Sequence, residues 1–276
     1  MKVDAAKLKL PGISREGQQL LELLSQPDAD LNVVADRVSN DTAAAAAVIK
    51  YANSPLYRRS FEIANVRHAV YLLGLTNVRM AVVVVAMRSY AQAANPAIEV
   101  IWEHAFGVSR LARMLADIAC PQWSDNIVFS ALLHDVGALV LASNYPDSYG
   151  ELLRVSTAGE LPIEPLEQVR FGTNHLHLVR DLAPRLRLPD RNANIVAESF
   201  NRPPLVDLRH EDEYHHAVIA LANLMERQVY IPKGHLIKSI NDDRDVLLLA
   251  LGISDDKASD LMEAYEAIYD QHYADV

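Results

Sequence analysis

A histidine and an aspartate stand side by side in Ala131-Leu132-Leu133-His134-Asp135-Val136-Gly137-Ala138. An apolar, helix-like run leads into the pair, and a glycine follows two residues after it. Such a pair can offer an imidazole nitrogen and a carboxylate oxygen to one metal ion. His134 and Asp135 are therefore the first candidates for chemistry, and the helical pattern that carries them is the basis for predicting the fold.

The apolar residues on both sides of this stretch recur at helical spacing along most of the chain. Alanine and leucine dominate these segments. The valine run 82–85 is the one serious hint of a strand, but its flanks favour a helix. The sequence therefore predicts an all-helical fold.

The helical pattern also predicts where individual elements begin and end. Asp30 should cap a short helix after the Pro27-Asp28 turn, and Gly74 should stop a helix that precedes a long apolar one. Asn95-Pro96 predicts a boundary between an N-terminal helical subdomain (1–95) and a second helical unit (96–276). The helices are expected over residues 31–38, 42–52, 64–73, 77–94, 98–118, 124–141, 214–227, 246–251 and 258–269.

Composition and charge exclude several classes of protein. The longest apolar stretch, 80–87, is far shorter than the ~20 residues of a membrane span. The start of the chain lacks a secretory signal, and the single cysteine, Cys120, cannot form an internal disulfide, so we expect a reducing cytoplasm. A net charge of −10 repels nucleic-acid backbones, and no run of lysine and arginine offsets it.

Spaced motifs in both halves of the chain match one family in order. The chain resembles an HDOD protein, a bacterial relative of the HD phosphohydrolases, over about residues 8–230. The resemblance implies an HD-like helical core with an added N-terminal helical layer. The matching residues are Leu10-Pro11, Leu20-Leu21, Pro27-Asp28-Ala29-Asp30-Leu31, Asn40-Asp41, Tyr51-Ala52-Asn53-Ser54, Tyr57, Ala69-Val70-Tyr71-Leu72-Leu73-Gly74, Trp102-Glu103-His104, Leu132-Leu133-His134-Asp135-Val136-Gly137, Phe171-Gly172-Thr173-Asn174-His175 and Leu188-Pro189.

The resemblance also implies a metal-ligand set with some departures from the family pattern. The metal-binding pattern of HD proteins maps onto His104, His134, Asp135 and, in place of its last aspartate, Asn223. The lysine of the catalytic form is replaced by Ala138, and the segment 198–203 lacks the His-His pair that precedes the proline in many relatives. Because an amide cannot balance the charge of a cation, metal affinity and hydrolysis should both be reduced.

The remaining histidines have simpler interpretations. His175 is a candidate for an additional place in the pocket, but it lies two residues from His177. On a helix that spacing argues against joint ligation and favours a surface or capping role. His210, His215 and His216 lie in a charged stretch that predicts a solvated loop.

Three further residues are interpreted as structural. Trp102 and Phe106 are expected in the core. Cys120 has no histidine or acidic neighbour in sequence and shows no sign of being a nucleophile.

From the resemblance we expect a non-catalytic bacterial signal-transduction module that relays a regulatory input through protein contacts. No cofactor is expected in that case, and the partners are signalling proteins or a second copy of the chain. Two alternatives stay open. One is a metal-dependent phosphohydrolase acting on a nucleotide or cyclic dinucleotide with Fe, Mn, Zn or Mg. The other is a sensor that binds a small anionic ligand in the former metal pocket.

Overall fold

The computed structural model describes residues 2–10, 15–26, 28–53, 62–88, 96–159, 161–186, 188–198, 207–230 and 238–273. Within these ranges it contains helices and no strand, which confirms the predicted all-helical fold. Some positions named above lie outside the described residues: Pro11, Pro27, Ser54, Tyr57, Asn95 and the segment 199–203.

The described part of the chain forms a succession of α-helices with two short 3-10 turns, Ala5–Lys7 and Pro121–Trp123. The helices are α1 (Arg15–Leu24), α2 (Leu31–Ser39), α3 (Thr42–Ala52), α4 (Val66–Arg88), α5 (Pro96–Ala119), α6 (Ser124–Leu133), α7 (Val136–Asn144), α8 (Pro146–Gly159), α9 (Ile163–Phe171), α10 (His175–Leu186), α11 (Asp190–Glu198), α12 (Glu211–Tyr230), α13 (Lys238–Leu251) and α14 (Asp255–Tyr273).

Helices α2 and α3 begin at carboxylate caps, as the sequence predicts for α2. The side chain of Asp30 accepts a hydrogen bond from the Asn32 amide at 2.7 Å. At the start of α3, the Asp41 carboxylate accepts from the amides of Ala43 and Ala44, both at 3.0 Å. Each cap satisfies backbone donors that have no partner within the helix.

Replacing the second of these caps tests its contribution to stability. Asp41→Ala should lower the free energy of unfolding by about 1 kcal/mol, because two amides lose their acceptor. Asp41→Asn, which retains an acceptor oxygen, should cost only a fraction of that amount. Urea denaturation followed by circular dichroism would measure both, and equal stability of Asp41→Ala and the native chain would contradict the assignment.

The long helix α4 is divided by a glycine. Gly74 has φ 70° and ψ 174°, which is not helical, so two helical stretches meet at the residue where the sequence predicts a stop. The valine run 82–85 lies in the second stretch and is helical. The helix therefore prevails over the strand preference of these residues, and Val82 and Val83 are buried in the core.

The predicted continuous helix over 124–141 is wrong at one point. The chain forms α6 and α7, and His134 and Asp135 occupy the turn between them. Asp135, with φ −98° and ψ 7°, leaves the helical conformation. The break gives the two side chains orientations that consecutive positions of one helix could not provide.

Buried side chains form two hydrophobic clusters that share helix α5. Ile98, Ile101 and Ala105 belong to a cluster with the N-terminal helices and α7–α11. Val108 and the later apolar residues of α5 belong to a cluster with α12, α13 and α14. His104 lies where α5 passes from one cluster to the other.

The stretch Pro121–Asn144 is apolar enough, with a mean hydropathy of 1.6, to suit a membrane span by length and composition. It contains Asp125, His134 and Asp135, so it is not an uninterrupted apolar run like 80–87. However, 89% of its window is buried inside the fold. Among the described residues this stretch is the core of the protein, and it is interrupted by the turn at His134 and Asp135.

Candidate metal centre

Three imidazoles surround the carboxylate of Asp135. His104 comes from α5, His134 from the turn between α6 and α7, and His175 from the first residue of α10. His134, Asp135 and His175 are buried, whereas the side chain of His104 is 18% exposed. The fold therefore brings together residues that lie up to 71 positions apart in the sequence.

The Nε2 atom of each imidazole lies close to an oxygen of Asp135. His104 and His134 are 3.7 and 3.4 Å from Oδ2, and His175 is 3.5 Å from Oδ1. One ligand atom from each of His104, His134 and Asp135 can be chosen so that all lie within 4.8 Å of one another. Ligand atoms ~2.1 Å from a tetrahedral ion are about 3.4 Å apart, so this spacing suits a shared metal ion.

The Nδ1 atoms of the same three imidazoles each have an acceptor. Nδ1 of His134 donates to the Ala131 carbonyl at 2.6 Å, and Nδ1 of His175 donates to Glu167 Oε2 at 2.6 Å. Nδ1 of His104 makes a short hydrogen bond to Glu226 Oε2. These bonds hold the proton on Nδ1 and leave Nε2 as the ligating atom, which is the usual arrangement around a protein-bound metal.

Burial and neighbouring charges shift the pKa values in different directions. Burial lowers the pKa of His134 to about 4, so this imidazole is neutral at pH 7. Burial also opposes the charge of His175, but the charge and hydrogen bond of Glu167 outweigh it and raise the pKa to about 9. Burial also acts to lower the pKa of His104, but the hydrogen bond to Glu226 and the charges of Asp135 and Glu226 outweigh it, so the pKa is raised.

The central carboxylate is held in its charged form. Burial alone would raise the pKa of Asp135, but the charges of the three imidazoles and of Arg227 lower it below its ordinary value. In the absence of an ion, the Asp135 carboxylate is therefore an anion next to the His175 imidazolium. A metal ion would have to displace the Nε2 proton of His175 to bind that imidazole.

Gly137 allows the α7 helix to approach the start of α10. A Cβ atom at position 137 would lie 2.1 Å from the His175 carbonyl oxygen and 2.9 Å from its Cα. Only glycine fits this contact. The glycine two residues after the His-Asp pair is therefore what lets His175 reach Asp135.

Asn223 lies on α12, three residues before Glu226 and thus on the same side of the helix. Its side chain is 3% exposed, and its Oδ1 atom is buried without a hydrogen-bond partner. A buried amide oxygen with no donor is unfavourable, and a cation would satisfy it. The structure therefore places this residue beside the helix surface that contacts His104.

A family model for the HDOD domain matches residues 10–201. The chain belongs to the HDOD family. The matched range contains His104, His134, Asp135 and His175. Asn223 and Glu226 of this HDOD protein follow the end of the matched range.

Solved structures agree on the fold. The chain is similar to an HDOD domain protein of unknown function from Geobacter sulfurreducens, with a TM-score of 0.69 and 22% identity over 95% of this chain and 94% of that one. It is also similar to a candidate phosphohydrolase from Shewanella amazonensis SB2B, with a TM-score of 0.67 and 17% identity over 94% and 91% of the two chains.

A curated relative, an uncharacterized protein of Treponema pallidum (strain Nichols), is 23% identical over 200 residues. The aligned part is 71% of the HDOD chain and 39% of that protein. The chain thus spans about two fifths of the length of the curated relative that it matches.

Sequence reasoning missed the two glutamates that orient the imidazoles of the HDOD centre. Glu167 is 0% exposed and Glu226 is 1% exposed. Glu167 also accepts from the hydroxyl of Tyr149 at 2.5 Å and from the His175 amide at 2.9 Å. A signal was available, because Glu167 lies between Ile163 and Phe171 at helical spacing and so occupies an apolar helix face.

Two predictions about the other histidines are corrected by burial. His175 is buried, so the predicted surface position is wrong for this residue. His215 and His216 are on α12 and are 1% and 7% exposed, so they do not lie in a solvated loop. Glu211 lies one helical turn before His215 on the same face of α12, with its Oε1 atom 3.4 Å from Nε2 of His215.

Trp102 is a core residue as expected, and Phe106 is partly buried against the same core. Trp102 is 7% exposed and stacks on Phe106 with ring centroids 5.4 Å apart. Cys120 is fully buried, and burial raises the pKa of its thiol to about 11. A thiol with that pKa is not a nucleophile at neutral pH.

Proposed function

We propose that this HDOD protein is a signalling module whose buried centre binds one divalent metal ion. In this proposal the occupied centre fixes the arrangement of α5, α7, α10 and α12, and a partner protein recognises that arrangement. The observation that supports it most directly is the convergence of three oriented Nε2 atoms on the Asp135 carboxylate.

The donor set favours a transition metal. His104, His134 and Asp135 would hold the ion, and His175 and the Asn223 oxygen are further donors. Imidazole nitrogens suit Fe and Zn better than Mg, which prefers oxygen ligands. Such an ion would supply Lewis acidity to an anionic ligand. This departs from the expectation that no cofactor is needed, since the residues present fit a metal.

A regulatory role without turnover follows from two departures from the catalytic HD pattern. Asn223 replaces a charged ligand with a neutral one, which at ~4 Å removes roughly 4 kcal/mol of attraction at an effective dielectric of ~20. Ala138 replaces the lysine of the catalytic form. The partners are proposed to be signalling proteins or a second copy of the chain, in the cytoplasm.

Metal analysis of the purified chain tests the proposal. The native protein, prepared without chelator, should contain one equivalent of Fe, Mn or Zn by elemental analysis. His134→Ala should weaken binding at least about 100-fold, because even residues that only orient ligands contribute roughly 10- to 100-fold.

His177→Ala is the matched control, since His177 is close in sequence to His175 but is not one of the three histidines whose Nε2 atoms lie near Asp135. It should retain the metal. A native chain that is folded yet binds no transition metal in titration would rule out the proposed function.

A metal-dependent phosphohydrolase is the second candidate. It is favoured by the partial exposure of His104, which leaves one side of the centre accessible, and by a histidine-rich donor set of the kind that activates water in hydrolases. Turnover of a cyclic dinucleotide or nucleoside phosphate by the metal-loaded protein, abolished in His134→Ala, would establish this candidate in place of the regulatory one.

A further inference from the structure

One loose ion pair lies next to both of the glutamates that orient the imidazoles. Nη2 of Arg227, on α12, is 3.8 Å from Oε1 of Glu164, on α9. The side chains are 35% and 18% exposed. The distance is too long for a hydrogen bond, so the guanidinium is held by charge and keeps its donors available.

The positions of the two residues place the pair across the metal centre. Arg227 directly follows Glu226, which bonds His104 on one side of Asp135. Glu164 lies one helical turn before Glu167, which bonds His175 on the other side. The ion pair therefore joins the α12 side of the centre to the α9 side.

The charges of the pair act on the centre itself. Burial raises the pKa of Asp135, and the charges of the three imidazoles lower it. The charge of Arg227 also lowers it, by less than the imidazoles do. Glu164 acts on the opposite side, where it supports the larger effect of Glu167 on the pKa of His175. Arg227 is thus a partly exposed cation close enough to the Asp135 carboxylate to influence it.

We propose that Arg227 is the anion-binding residue of the centre and takes a phosphate group of the ligand, which displaces Glu164. The inference rests on the proposed metal centre. A guanidinium binds phosphate through two parallel N–H donors. Arg227 on α12 therefore supplies a cation in a centre where Ala138 replaces the lysine of the catalytic form. Glu164 is a competitor that holds Arg227 in place until a phosphate enters.

Isothermal titration of inorganic phosphate into the full Mn²⁺-loaded chain, at fixed ionic strength, tests this inference. Arg227→Gln should weaken phosphate binding by about tenfold or more, because a charge-assisted bidentate contact is lost. Glu164→Gln should strengthen it by roughly threefold or more, because the competing carboxylate is removed. Arg170→Gln, which removes a guanidinium on the exposed surface of α9, is the matched control and should leave it unchanged.

The two variants separate this role from a structural one. A stabilising ion pair would lose function when either partner is changed, whereas a competitor gives opposite effects. Equal phosphate affinity in both variants, or weaker binding in both, would overturn the inference. Mn²⁺ titration without phosphate is a separate readout. If Mn²⁺ does not bind, the metal proposal fails, and phosphate binding that depends on Arg227 would still support the anion site.

Discussion

Gly137→Ala is expected to lower the free energy of unfolding by about 3 kcal/mol or more. The added methyl group would lie 2.1 Å from the His175 carbonyl oxygen, well inside any real contact. That oxygen belongs to the backbone of α10 and cannot rotate away. The helices must separate, which is the most costly form of overpacking.

The same substitution should also disturb the metal centre, because α10 carries His175. Transition-metal affinity is expected to fall together with stability. Thermal unfolding and metal titration on the same sample would measure the two effects.

Gly150→Ala is a matched control within α8. A Cβ atom at position 150 meets nothing within 4 Å, so the change should leave the fold intact and stabilise the helix by up to ~1 kcal/mol. Native stability and native metal affinity in Gly137→Ala would show that α7 and α10 are not in close contact.

Glu167→Gln should destabilise the protein by about 3 kcal/mol, because it removes one partner of a fully buried ion pair. Glu167 accepts three hydrogen bonds, from Tyr149, from the His175 amide and from the His175 ring. An amide would turn an NH₂ group towards at least one of these donors. Glu151→Gln is the control, since Glu151 is 60% exposed and 3.9 Å from Arg170, and should change stability by less than ~0.5 kcal/mol.

The loss caused by Glu167→Gln should depend on pH. The pKa of His175 is raised to about 9 in the folded protein, above the ordinary value of ~6.5. Its contribution to stability is therefore fully present below pH 6.5 and disappears as the pH rises through 9. The stability difference between the native chain and Glu167→Gln should shrink across that range, measured by urea denaturation at each pH. A constant difference would show that the pair is not charged.

The sequence was most informative where the signal is local. Asp30, Thr42–Ala52 and Gly74 could be assigned because capping, helix propensity and glycine conformation depend on a few neighbouring residues. The break between α6 and α7 was not predicted, since the apolar pattern continues through it. The break is accompanied by the close contact of Gly137 in α7 with the start of α10, which the apolar pattern does not indicate.

The sequence by itself determined the all-helical fold, the HDOD family and the position of the His134-Asp135 pair. The tertiary structure decided which other residues join that pair. His104 and Glu226 are 122 residues apart, and His175 reaches Asp135 only because α7 and α10 touch at Gly137. The apolar helix face around Glu167 indicates that this carboxylate is buried, but only the packing of α9 against α10 shows that it bonds His175.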